Sequence, residues 1–289
     1  MEIQILTDSS CDLSEEQYSK LDIQIAPLKV HLDEQDFEDG VTIQAKTIYD
    51  AMRQGKAPKT SQISPQTFKD IFITHAKENK PLVYIAFSSQ LSGTYQTAKM
   101  MEQEVKEEYP NAPIHVIDTK CASLGQGLVV LHAAKLAKQG ASLDEVIDAV
   151  KYQSEHMEHV FTVDDLEYLK RGGRISKAQA FVGTLLKVKP ILHVEDGKLV
   201  PLEKIRGSKK VLSRMLELME ERGADFTNQT IGISHGDDRE RAEQLSIMIQ
   251  DKFGVNEKQI VIEMVGSVIG AHAGPGTIAL FFSNKPKPD

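Results

Sequence analysis

Leu82-Val83-Tyr84-Ile85-Ala86-Phe87 is an unbroken apolar run of strand length, the pattern of a strand buried on both faces. A helical pattern follows to about Glu108, and between the two lies a hydroxyl-rich turn, Ser88 to Thr97 (Ser-Ser-Gln-Leu-Ser-Gly-Thr-Tyr-Gln-Thr). Upstream, Ile3-Gln4-Ile5-Leu6 predicts a short strand, and Thr7 to Asp12 supplies capping residues for a helix starting near Leu13. Ile23 to Val30 alternates like one strand with an exposed face, its Pro27 suiting an edge or bulge, and the acidic piece Asp33 to Asp39 reads as a solvated loop. A helix from about Lys46 stops at Gly55, Pro58 to Ile63 is extended, and Ser64-Pro65 starts another helix. Ile114 to Ile117 is a strand leading into Asp118 to Gly127. The helix from about Leu128 to Gln139 is apolar on most faces, which predicts burial between layers. Ser142-Leu143-Asp144-Glu145 is a capping box for a helix reaching about His156.

In the second half, Val160 to Val163 reads as a strand and Asp164 to Arg171 as a short helix ended by Gly172-Gly173, with a further helix from Arg174-Ile175-Ser176-Lys177 through about Lys187. Pro190 to Val194 and Lys198 to Leu202 flank Glu195-Asp196-Gly197, a hairpin signature. Ser208 to Arg222 and Asp238 to Phe253 are helical, Thr230 to Ser234, Gln259 to Val265 and Thr277 to Phe282 are strands, and Ala271 to Gly276 is a rigid turn. Strands alternating with helices predict an α/β fold whose ligands bind beyond the strands' carboxyl ends. The hairpin makes the second half a mixed sheet. The expected organisation is two domains with a boundary near Glu158: a parallel-sheet, Rossmann-like α/β domain over 1–158 and a mixed-sheet α/β domain over 159–289.

Two domains also suit 289 residues, at a prior of roughly 150 per domain. No apolar run approaches the roughly 18 residues needed to span a bilayer, and Met1-Glu2-Ile3-Gln4 has no basic leader, so the expected compartment is the cytoplasm. A net charge of −8 argues against general nucleic-acid binding. Lys170, Arg171, Arg174, Lys177, Lys187 and Lys189 form a local basic stretch, read either as a solvated face or as a docking surface. Cys11 and Cys121 have neither disulfide-framework nor metal spacing.

The turn carries the most informative chemistry. Amides that open a helix lack intrahelical acceptors, and the dipole adds partial positive charge, so an anion is favoured there. Ser88, Ser89, Ser92 and Thr94 add neutral hydroxyls, and the turn holds no Lys or Arg. It is therefore built to orient an anion more than to neutralise a highly charged one. Gly232-Ile233-Ser234-His235-Gly236 matches a nucleophile-elbow pattern, with Asp251 and His272 following in hydrolase order, though only 55 residues follow Ser234. His156 and His159 have half-site spacing without an evident third ligand, so no metal is expected, and nucleotide-binding glycine motifs are absent in their required contexts. His272, between small residues and Gly-Pro-Gly, is a candidate ligand contact.

Thr7-Asp8-Ser9-Ser10 with Asp12-Leu13, Lys59-Thr60-Ser61-Gln62, Ser88 to Tyr95, Asp164-Asp165-Leu166 with Gly173-Arg174-Ile175, Leu186 to Pro190 and His272 to Gly276 resemble, in matching order, the DegV family. The resemblance spans essentially the whole chain and looks like the fatty-acid-binding subunit of bacterial fatty acid kinase. It implies an apolar tunnel for a long-chain fatty acid and no cofactor beyond that ligand. Its carboxylate would meet Thr60 and Ser92, with Ser61, Gly93 and His272 close by. A separate kinase subunit would phosphorylate that carboxylate to an acyl-phosphate for phospholipid synthesis, with Arg174 and Arg206 as contacts to it. This chain would not itself be an enzyme, and transient contact with a membrane surface is compatible with such a role. The readings from other classes are a Ser234-dependent esterase or lipase and a regulatory lipid-binding module.

Overall fold

The structure, a computed structural model, describes residues 2–175 and 188–286. The first half runs β1 (Gln4–Asp8), α1 (Glu15–Leu21), β2 (Ile23–Ala26), β3 (Lys29–Leu32), β4 (Gln35–Glu38), α2 (Ala45–Arg53), β5 (Lys59–Ser61), α3 (Pro65–Glu78), β6 (Leu82–Ala86), α4 (Thr94–Glu108), β7 (Ile114–Asp118), α5 (Leu124–Lys138) and α6 (Leu143–Glu155). The second continues with β8 (Met157–Thr162), α7 (Leu166–Arg171), β9 (Val188–Glu195), β10 (Lys198–Arg206), α8 (Ser208–Arg222), β11 (Ile231–His235), α9 (Arg239–Phe253), β12 (Ile260–Met264), α10 (Ser267–Ala273) and β13 (Ile278–Ser283).

The strands β2-β1-β6-β7 form a parallel sheet, and β10-β9-β8-β13-β11-β12 form a mixed one in which only β11 and β12 run parallel. The α/β class with one parallel and one mixed sheet is as expected. Helix α5 lies between the sheets: Leu124, Leu128 and Val129 share one core with Val83 and Ile85 of the first sheet and Phe161, Ala279 and Phe281 of the second. An all-round apolar helix has no face to spare for water, which is why this one sits in the middle layer. Helices α3 and α4 cover the outer face of the parallel sheet, and α8 and α9 cover that of the mixed sheet.

Four local expectations need correction. Ile23 to Val30 is two strands. Pro27 lacks an N–H, and the chain breaks there, so β2 edges the parallel sheet while β3 joins a separate antiparallel sheet, β4-β3-β5. The acidic piece Asp33 to Asp39 contains β4; Asp33 and Glu34 both take positive φ, the backbone of a two-residue hairpin turn. Helix α5 begins four residues early, at Leu124, because its Gly-Gln-Gly opening masks the pattern. Residues 271–273, expected in a turn, end helix α10. The helix expected to about Lys187, together with Lys177 and Lys187, lies outside the described residues.

Candidate functional site

A cavity of about 180 Å³ opens where the carboxyl ends of the parallel strands face the inner surface of the mixed sheet. Its wall is mainly apolar, with Phe87, Leu91, Phe161, Leu199, Ile269 and Phe281 among the lining residues, and no Asp or Glu of the described residues lines it. Thr60, Ser61, Gln62, Ser92, Gly93, Arg174 and His272 also line it.

Strand β5 aims Thr60 inward. Thr60 pairs with Val30, which is fully buried, so the two share the inner face of the small sheet. Thr60 Oγ1 lies 2.7 Å from His272 Nε2, across 212 residues of sequence. Burial, reinforced by the charge of Arg174, pushes the His272 imidazole down to about 4, so the ring is neutral near pH 7. Gly172 explains how the ring fits: a Cβ there would stand 2.2 Å from His272 Nδ1. The glycine that ends α7 thus also admits the imidazole.

The turn before α4 comes alongside. Ser92 Oγ is 2.8 Å from Thr94 Oγ1 and accepts from Thr94 N at 3.2 Å. Gln62 crosses Gly93, where a Cβ would meet its Oε1 at 2.3 Å, and donates to Thr97 Oγ1 at 3.1 Å. That crossing holds β5 against the start of α4, whose N-cap, Gly93, offers no side-chain cap. The first amide of α4 is thus taken by Ser92 Oγ, and Ser92 and Gly93 are the residues of this turn's end that border the cavity. The turn has no cation of its own, but Arg174 reaches it from α7's end: Nε donates to Leu91 O at 3.2 Å and Nη1 to Gly172 O. Burial lowers the Arg174 guanidinium from its usual value.

Ser61 borders the cavity, yet its hydroxyl faces the other way. It lies 3.0 Å from His31 Nε2, and His31 Nδ1 is 2.5 Å from Asp36 Oδ1. Strand alternation puts this Ser-His-Asp line on the sheet face opposite Thr60. Arg206 is exposed at the end of β10 and does not line the cavity.

A second polar cluster lies in the wall. Ser123 precedes α5 with φ 54° and ψ −144°, a backbone region that disfavours side chains. Its hydroxyl donates to Asp12 Oδ2, and Ser123 Oγ lies 3.0 Å from Ser234 Oγ. Asp12 also accepts from Gly266 N at 2.8 Å. Burial pushes its carboxyl up to about 8. Neighbouring Asp39 accepts from Ser267 N at 3.0 Å and Val268 N at 3.4 Å, anchoring α10 to the first half.

Residues 2–285 match the model of an uncharacterised protein family, DegV. The chain belongs to the DegV family. A DegV domain-containing protein of Clostridium perfringens is 41% identical over 286 residues, covering 98% of each chain. A fatty-acid-binding DegV protein from Thermus thermophilus superposes with TM-score 0.89 at 32% identity, covering 98% of this chain and 100% of that one. DegV of Bacillus subtilis, a fatty-acid-binding protein, gives 0.85 at 31%, covering 97% and 98%. A stearic-acid-binding protein from Eubacterium ventriosum gives 0.86 at 28%, covering 96% and 97%.

The DegV fold brings Thr60, Ser92, Gly93 and His272 to one cavity. Ser234 lies within β11, and its hydrogen-bond partner is Ser123; among the described residues no imidazole reaches it. His272, the histidine of the elbow reading, is instead engaged by Thr60. Sequence reasoning overlooked Gln62, Gly172 and Asp12. Gln62 and Asp12 both stand in the ordered motifs and could have been found there, whereas Gly172 acts through contact with His272, far away in sequence. Among the described residues no helix is long and apolar enough to cross a membrane, and no group of three or more His, Cys, Asp and Glu could hold a metal ion.

Proposed function

We propose that this DegV chain binds a long-chain fatty acid, with the tail in the apolar cavity and the carboxylate at the Thr60–Ser92–His272 end. The observation that carries this reading is a cavity whose wall is mainly apolar and free of described carboxylates, with the Thr60 and Ser92 hydroxyls, the neutral His272 imidazole and Arg174 among its lining. At roughly 10–15 Å³ per water-sized group, it has room for on the order of a dozen such groups, the scale of an acyl chain. Burying methylenes contributes about 0.8 kcal/mol each, so a tail of about fifteen carbons supplies on the order of 12 kcal/mol before costs. The head group then needs only orientation. A monoanion is served by hydroxyls and amides, which leave its oxygen more nucleophilic than a bidentate arginine clamp would.

The same resemblance extends the proposal: a separate kinase subunit docks near Arg174 and Arg206 and phosphorylates the presented carboxylate, and this chain transfers no phosphate itself. Denaturing extraction of the purified protein followed by mass spectrometry tests the ligand. A long-chain fatty acid is expected, and failure to recover or load one refutes the reading. Thr60→Ala with Ser92→Ala should reduce acyl-phosphate formation with the cognate kinase; an unchanged rate rejects the carboxylate placement.

A further inference from the structure

Ser123 and Ser234 are polar interruptions in a mainly apolar wall, and they are not tied to the carboxylate end. Among the described residues, no hydrogen bond links them to Thr60, Ser92 or His272. The other polar side chains lining this part of the cavity have their protons committed. The single O–H of Thr277 is shared between Ala273 O at 3.1 Å and Gly274 O at 2.8 Å, so this hydroxyl can only accept, while His159 accepts from Ala122 N at 3.2 Å and donates from Nδ1 to Met157 O at 3.1 Å. Ser234 differs. A hydroxyl has one donor and two acceptor positions, and the bond to Ser123 fills one of them. Asp12 and Ser123 form a short chain of hydrogen bonds that ends at Ser234. If the protons point toward Asp12, Ser234 keeps free lone pairs; if they point away, it keeps a free O–H. In either direction a fully buried hydroxyl at the cavity wall retains capacity for one more oxygen. A site built to bond a hydroxyl discriminates against an analogue lacking it.

We propose that Ser234, held by Ser123 and Asp12, receives an oxygen carried partway along the acyl chain, so that the preferred ligand is a hydroxylated long-chain fatty acid. A ligand hydroxyl both donates and accepts, so it matches the chain in either direction. This rests on the fatty-acid reading above and adds the chemistry of the tail. A carboxylate is the wrong occupant for this place, because among the described residues no cation hydrogen-bonds to Asp12, Ser123 or Ser234.

The test is competitive displacement of a fluorescent fatty acid from the delipidated full-length protein by octadecanoate and by octadecanoates hydroxylated at successive positions. At least one positional isomer should bind about tenfold more tightly than octadecanoate. Ser234→Ala should erase that preference while retaining octadecanoate binding. Ser123→Gly, which suits the local backbone, should weaken the preference in the same direction. If octadecanoate binds and no isomer is preferred, or if the preference survives Ser234→Ala, the proposal is overturned while fatty-acid binding stands. If neither octadecanoate nor any hydroxylated chain binds, the fatty-acid reading itself has failed, and this proposal with it.

Discussion

His272 concentrates the chemistry of the proposed carboxylate end. A neutral imidazole 2.7 Å from Thr60 Oγ1 can donate from Nε2, leaving the Thr60 hydroxyl free to donate to an anion. A hydrogen bond to a charged group is worth about 1.5–3 kcal/mol, so Thr60→Val should weaken fatty-acid binding roughly ten- to hundredfold, as read by displacement titration. His272 also links stability to pH. Its folded value, about 4, lies below the ordinary 6.5, so the unfolded chain takes up the proton first as pH falls. The contribution is fully present above about pH 6.5 and is lost progressively toward pH 4. His159, buried and likewise pushed down to about 4, acts in the same sense. Asp12, raised to about 8, acts oppositely: its contribution is present below about pH 4 and is lost as pH rises to 8. His272→Gln should therefore lose less stability than wild type between pH 6.5 and 4 in urea titrations, and an identical acid slope would contradict the assignment.

At the scale of elements, the site is made by three contacts between segments with no local reason to meet. Helix α10 is fixed at its start by Asp39 and near its end by the Thr60–His272 bond, and the end of α7 must leave room for the ring. Gly172→Ala inserts a methyl against His272 and should displace it from Thr60. The expected result is at least tenfold weaker fatty-acid binding, with a smaller effect on thermal stability than a core truncation has. Leu128→Ala, in the layer between the sheets, should instead cost about 2–5 kcal/mol in chemical denaturation. If Gly172→Ala binds fatty acid as wild type does, the ring's position is not what matters.

Over the whole molecule, a ligand between the two sheets binds only when both are folded and together. With free fatty acid at a hundredfold its Kd, loading should add about 2.7 kcal/mol, raising Tm by several degrees over the delipidated protein in calorimetry. Most elements of this architecture were legible in sequence because helix and strand periods, caps and breakers act over a few residues: the Ser142 capping box, the Ser64-Pro65 start, the Asp196-Gly197 hairpin and the apolar run Leu82 to Phe87 all appear as read. Where local signals competed, reading failed. Pro27 split a strand between sheets, the acidic composition of Asp33 to Asp39 hid β4, and small residues hid α10. Thr60 was named only through likeness to a family, whereas the hydroxyl-rich turn and the Gly-Pro-Gly setting had already made Ser92 and His272 candidates. The sequence by itself determined the α/β class, most segment boundaries and a hydroxyl-rich turn at a strand's carboxyl end. Tertiary structure decided that Thr60 faces inward while Ser61 faces His31, that Arg174 supplies the cation the turn lacks, and that Asp12 and Ser123 back Ser234. These depend on packing between residues a hundred or more positions apart for Ser123 and about eighty for Arg174, and periodicity along the chain carries no record of such contacts.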